Sequence, residues 1–151
     1  MILVKRVGRQ ESGLSKDNSK RVRGPYLYIT KRWLRYFPSL SSTQENDAAP
    51  LVIESRDYKR VVLPFVWHNS HAVQNKRGGR NEYRLYITGL ESTGIPLPIP
   101  GDLVLLQPIA RREGDGPHDR FTLIFMSTGE KRNKNIILRY ISIRFLKASL
   151  S

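Results

Sequence analysis

Residues 77–84 read RGGRNEYR, a run in which three side-chain types can address the edges of base pairs. An arginine fork spans guanine O6 and N7, a carboxamide spans adenine N6 and N7, and a carboxylate accepts from the cytosine amino group. Arg80 and Arg84 supply the fork, Asn81 the carboxamide and Glu82 the carboxylate. Glu82 is the informative residue, because an acid inside a basic cluster repels phosphate. It would face a cytosine amino group or orient Arg80 or Arg84. The simpler alternative is an ion pair with Arg84 along the strand.

Other constellations are weaker. Asp57-Tyr58-Lys59 has the acid-x-lysine form of a magnesium-dependent nuclease, with Asp47 upstream. Two carboxylates would hold the metal and Lys59 would assist the attacking water. No third acid or framing helix accompanies them. His68 and His71 have a spacing that zinc sites use, but no cysteine or nearby acid completes a ligand set. They would flank the basic loop, with His71 in reach of phosphate. Ser12 and Ser15 lack the histidine and acid of a nucleophilic triad. Tyr26, Trp33 and Tyr36 could stack on unpaired bases. Core packing is the competing reading for such aromatics.

The chain has 151 residues, with 26 Lys+Arg against 13 Asp+Glu and a net charge of +13. A field of that sign draws polyanions, nucleic acid before an acidic membrane surface. There are no cysteines, so disulfides and thiolate metal sites are excluded. No apolar run approaches the ~20 residues of a membrane span, and MILVKRV is too short for a signal-peptide core. These features predict a single cytoplasmic, bacterial-type domain without membrane, small-molecule or resident cofactor partners.

Seven or eight short strands would position these groups: 2–7, 26–30, 51–54, 59–67, 82–90, 103–109, 120–127 and 136–146. Turn signals between them predict a mainly β barrel or sandwich. In TKRWLRYFP (30–38), Trp33, Leu34 and Phe37 share a helical face and Lys31, Arg32 and Arg35 lie elsewhere. Thr30 would cap this helix and Pro38 would stop it. Pro64 predicts a strand edge or a bulge. The segments 8–25 and 68–81 read as polar loops, longer than folding needs.

The order of these pieces resembles the DNA-binding domain of EcoRII-type restriction endonucleases, a pseudobarrel shared with the plant B-three transcription factors. LVKRVGRQESGLS is similar to that family's opening strand and acid–hydroxyl–glycine loop, with Glu11, Ser12, Gly13 and Ser15 at the motif positions. YLYITKRWLRYFPS, VWHNS with GRNEYR, and GDLVLLQPIARREGDGPHDRFTLIFMST resemble its later strands, recognition loop and last hairpin. The resemblance covers nearly the whole chain. It implies a pseudobarrel with one or two short helices, whose two loop arms read double-stranded DNA in the major groove. The arms would be Arg9 to Arg23 and Asn75 to Arg84. Arg9, Lys16, Lys20, Arg21 and Lys76 would then hold phosphates, and Glu11 and Ser12 would read from the first arm. Arg23, Asn75, Arg77 and Tyr83 complete the expected contact set. Arg23 stands where the family often has histidine, and Tyr83 where it has a basic residue. The resemblance further implies the pentanucleotide CCWGG (W is A or T) as target. It also implies a monomeric recognition or effector domain, at the N-terminal side of a type II enzyme whose magnesium-dependent nuclease lies outside this chain. The competing expectations are a non-specific RNA-binding or ribosomal module and a membrane-surface or protein-interaction domain.

Overall fold

The computed structural model describes residues 2–54, 60–70, 73, 78–94, 96–109 and 120–126, the last strand by its backbone and the Phe121 side chain. The strands are β1 (Leu3–Arg6), β2 (Tyr26–Ile29), β3 (Ala48–Glu54), β4 (Arg60–His68), β5 (Glu82–Tyr86), β6 (Leu103–Pro108) and β7 (Arg120–Met126). They form one sheet in the order β1-β6-β7-β3-β4-β5-β2. Every pairing is antiparallel except β3 with β7. The mainly β architecture of seven strands is as the sequence predicts. Among the described residues the sheet does not close by strand pairing, and β1 and β2 are its ends.

Period-two alternation explains which side chains go inside. Leu27 and Ile29, Leu51 and Ile53, Leu63 and Phe65, Leu85, Val104 and Leu106 point into one shared core, with Leu3 and Phe121 from the remaining strands. Phe37 lies at its centre, 4.8 Å from the rings of both Phe65 and Phe121. Each such burial contributes about 1.5–3 kcal/mol. All seven strands feed one interior, so the sheet must curl around it.

Thr30–Pro38 does form the expected helical turn, as a 3-10 helix over Lys31–Tyr36. Trp33 is buried and Leu34 and Tyr36 pack against the core. The Thr30 side chain makes no capping bond, contrary to expectation. Two further departures concern the loops. The 8–25 segment contains a short helix, α1 (Arg9–Ser12), and a Leu14–Arg21 bridge. The 82–90 strand stops at Tyr86 and turns into a 3-10 helix, Thr88–Thr93. The described residues therefore hold three short helices, one more than expected. Pro64 lies within β4 opposite Pro50, one residue beyond the last β4–β5 pair, Phe65–Leu85. A proline lacks an N–H to donate, and it is tolerated where the pairing on that side of β4 has ended. The expected strand 136–146 lies outside the described residues.

Candidate nucleic-acid interface

The residues opposite in parity to the core make up the outward face of β2, β5 and β4. Tyr26 and Tyr28 pair with Tyr86 and Arg84, and Val66 and His68 pair with Arg84 and Glu82. The face is polar and tightly connected. The Arg84 guanidinium lies over the Tyr26 ring at 4.1 Å, and its Nη2 donates to Glu82 Oε1. Its Nη1 reaches the Tyr86 hydroxyl at 3.5 Å. The Tyr86 hydroxyl also meets His68 Nε2 at 2.8 Å, and His68 Nδ1 meets Asn46 Oδ1 at 2.7 Å. Burial, with Arg84 and Arg80 nearby, holds the His68 imidazole below its ordinary pKa, and Glu82 opposes this only in part. Burial works against the charge on Arg84, but the Tyr86 hydroxyl, Tyr26 and Glu82 outweigh it and keep the guanidinium protonated.

The first arm lies along the β2 edge. Glu11 is 8% exposed and ties both ends of the sheet together. Its Oε1 accepts from the Tyr28 N–H at 2.6 Å and from Lys5 Nζ of β1 at 3.0 Å, while Oε2 accepts from the Gly8 N–H at 2.9 Å. Ser12 is fully buried, donating to the Arg9 carbonyl at 2.7 Å and accepting from the Leu14 N–H at 3.3 Å. Both side chains are engaged beneath the arm rather than presented at its surface. Arg21 donates to the Ser12 carbonyl, and Arg23 to the Gln10 carbonyl at 2.8 Å. These two guanidinia brace the arm. Arg9, Lys16 and Lys20 are exposed. The tip is a turn in which Asp17 accepts from Ser15 and Ser19, whose hydrogen bonds lower its pKa to about 2.

The second arm enters β5. Arg80 is exposed, its backbone N–H donating to Ser70 Oγ at 2.9 Å, and among the described residues its guanidinium bonds to nothing. Asn81 accepts the Trp67 indole N–H at 3.1 Å. Tyr83 points away from the Glu82–Arg84 face. Its ring stacks on Trp67 at 5.1 Å and on Phe65 at 6.0 Å, and burial raises its pKa. Strand alternation puts neighbours on opposite faces, so Tyr83 does not share the Glu82–Arg84 face. Glu82 and Arg84 form the ion pair that was the simpler reading, and the Arg84 side chain is only 16% exposed. Tyr26 is buried beneath Arg84, with Arg23 of the first arm 5.9 Å from the same ring. Trp33 and Tyr36 pack on the core, as the competing reading had it.

Asn75, Lys76, Arg77, His71, Asp57 and Lys59 lie outside the described residues. Asp47 accepts from the Ser41 N–H at 2.5 Å. Among the described residues no three His, Cys, Asp or Glu side chains gather as a metal site. No helix there is long and apolar enough to cross a membrane.

One organising residue was not foreseen. Asn69 is fully buried at the foot of the second arm. Its Oδ1 accepts from the Asn46 N–H at 3.0 Å and its Nδ2 donates to the Gln44 carbonyl at 2.8 Å, fastening the 41–47 loop to that arm. The available signal was a lone asparagine directly after an apolar strand, where a buried amide must find partners. With this geometry described, no family model and no curated protein matches the chain.

Proposed function

We propose that this chain is a sequence-specific double-stranded DNA-binding domain, the recognition or effector part of a type II restriction endonuclease. The observation that carries the reading is the meeting of the two basic arms on one outward face, where Arg23 and Arg84 share the Tyr26 ring. Segments far apart in sequence are thereby held in fixed relation, as reading a rigid duplex requires. Arg80 is the guanine reader, because it is exposed and held by its backbone. Arg9, Lys16 and Lys20 hold phosphates. The Glu82–Arg84 pair forms a fixed donor–acceptor edge on the floor between the arms. In this reading the chain binds as a monomer and leaves magnesium-dependent cleavage to a separate nuclease domain, with CCWGG as the leading target.

A second reading is a general nucleic-acid module. The internal pairing of Glu82 favours it, because an acid neutralised within the fold needs no base to explain it. Competition binding separates the two. A CCWGG duplex is set against a scrambled duplex of the same composition, at two salt concentrations. Base readout predicts a preference of ~10³ or more that persists as salt rises. A steep salt dependence without preference would indicate phosphate contact alone on these sequences. Selection from random duplexes then decides between another target and the general module.

A further inference from the structure

The Lys31–Tyr36 helix carries three cations that the two-arm reading does not use. Lys31, Arg32 and Arg35 are all exposed. The sequence holds no acid between Asp17 and Glu45. Among the described residues none of the three enters an ion pair. Trp33 and Phe37 are buried in the core, which fixes the helix and leaves the cations facing solvent. Arg32 lies 5.6 Å from the Trp33 ring and Arg35 4.8 Å from the Tyr36 ring. A guanidinium stacked on an aromatic face is held in place while its N–H edge stays free to donate to an oxyanion.

The location matters as much as the charge. The last β2 pair is Ile29 with Tyr83, so the helix begins where the second arm enters β5. The loop that follows it is fastened to the foot of the same arm by Asn69 and by the His68–Asn46 contact. The helix therefore starts beside the second arm, and the loop that follows it is anchored to that arm's foot.

We infer that this helix is a third contact element, in which Lys31, Arg32 and Arg35 grip the phosphate backbone of duplex DNA beside the second arm. The inference rests on the DNA-binding reading but assigns affinity to the helix and no sequence information. The test is the salt dependence of binding to duplexes of about 30 and about 10 base pairs, since log K falls by ~0.9 per phosphate contact for each unit of log salt. The triple variant Lys31→Gln, Arg32→Gln, Arg35→Gln should make the slope on the longer duplex shallower by roughly 2–3. Its preference between a selected and a scrambled site should stay as in the wild type. Arg60→Gln is the control, because Arg60 is paired with Glu54 at the far end of β4, and it should leave the slope unchanged. Arg32→Lys with Arg35→Lys keeps the charge and should retain the wild-type slope. An unchanged slope in the triple variant would overturn the inference. So would a changed sequence preference, or an equal loss in the charge-keeping variant. The slope can be read on any duplex, so failure of base-specific recognition would appear separately, as absence of preference in the wild type.

Discussion

Arg80 and Arg84 are chemically identical but occupy different situations, and the difference can be tested. Arg80 projects freely, whereas Arg84 is laid on Tyr26 and paired with Glu82. Arg80→Ala should cost about 1–3 kcal/mol on the specific site and little on scrambled DNA. Lys20→Ala should weaken all duplexes by a similar factor, because a phosphate contact carries no sequence information. Equal behaviour of the two variants in competition binding would defeat this division of labour. Glu11 makes a different kind of prediction. Its removal strands the Tyr28 N–H and Lys5, so Glu11→Ala should lower stability by about 2–3 kcal/mol in denaturant unfolding. His68 adds a pH dependence with a definite sign. Its pKa in the fold lies below the ordinary 6.5, so the unfolded chain takes up the proton first as pH falls. Its contribution is therefore full above 6.5 and is lost as pH drops through the lower folded value. The unfolding midpoint should fall between pH 7.5 and 5.5, by less in His68→Asn, with pH steps of about this size resolving the linkage.

At the scale of elements, the first arm depends on one glycine. Gly13 sits at φ +72°, and a Cβ there would lie 2.2 Å from the Arg23 carbonyl oxygen. The Gly13 carbonyl also accepts the Val22 N–H at 2.8 Å. Gly13→Ala combines the strain of a left-handed backbone with a backbone clash, and should cost more than the ~1–3 kcal/mol of the strain alone. Gly78, at φ +82° with open space around it, should show the strain alone when changed to alanine. Thermal unfolding of the two variants makes the comparison. Gly13 was visible in the sequence as part of a loop, but its role was not, because the clash is with a residue ten positions later. The strands were legible because alternation is local: LVIE and EYRLY announce their faces residue by residue. The face that Tyr83 takes was less legible, since a motif read as a continuous string ignores that strand neighbours face opposite ways. The burial of Glu11 was not legible, because its partner Tyr28 lies 17 positions away and leaves no mark on the local sequence.

For the molecule as a whole, the open sheet and its basic outer surface divide the work. The core feeds from all seven strands, and the charged groups ride on its outside. Asn69 links these two levels. Asn69→Ala should cost about 1–3 kcal/mol through the stranded amide partners. Native-state hydrogen exchange should show the Asn46 N–H losing protection before the β4–β5 ladder does. The strand order has a further consequence, for the time course of synthesis. Among the described residues β1 pairs only with β6, whose matching residue to Leu3 is Leu106. At translation rates of about 5–20 residues per second, β1 waits several seconds for its partner to be made. The parallel β3–β7 pairing comes later in synthesis, once residues 120–122 have been added. Long-range pairings of this kind slow folding, because loop closure precedes the contacts that reward it. Before β6 is made, β2, β3, β4 and β5 are already present, so the Glu11–Tyr28 bond can form against a paired β2–β5 edge while β1, which carries Lys5, still lacks its partner. The tie that Glu11 makes between β1 and β2 is therefore complete in its final setting only once β6 has been added.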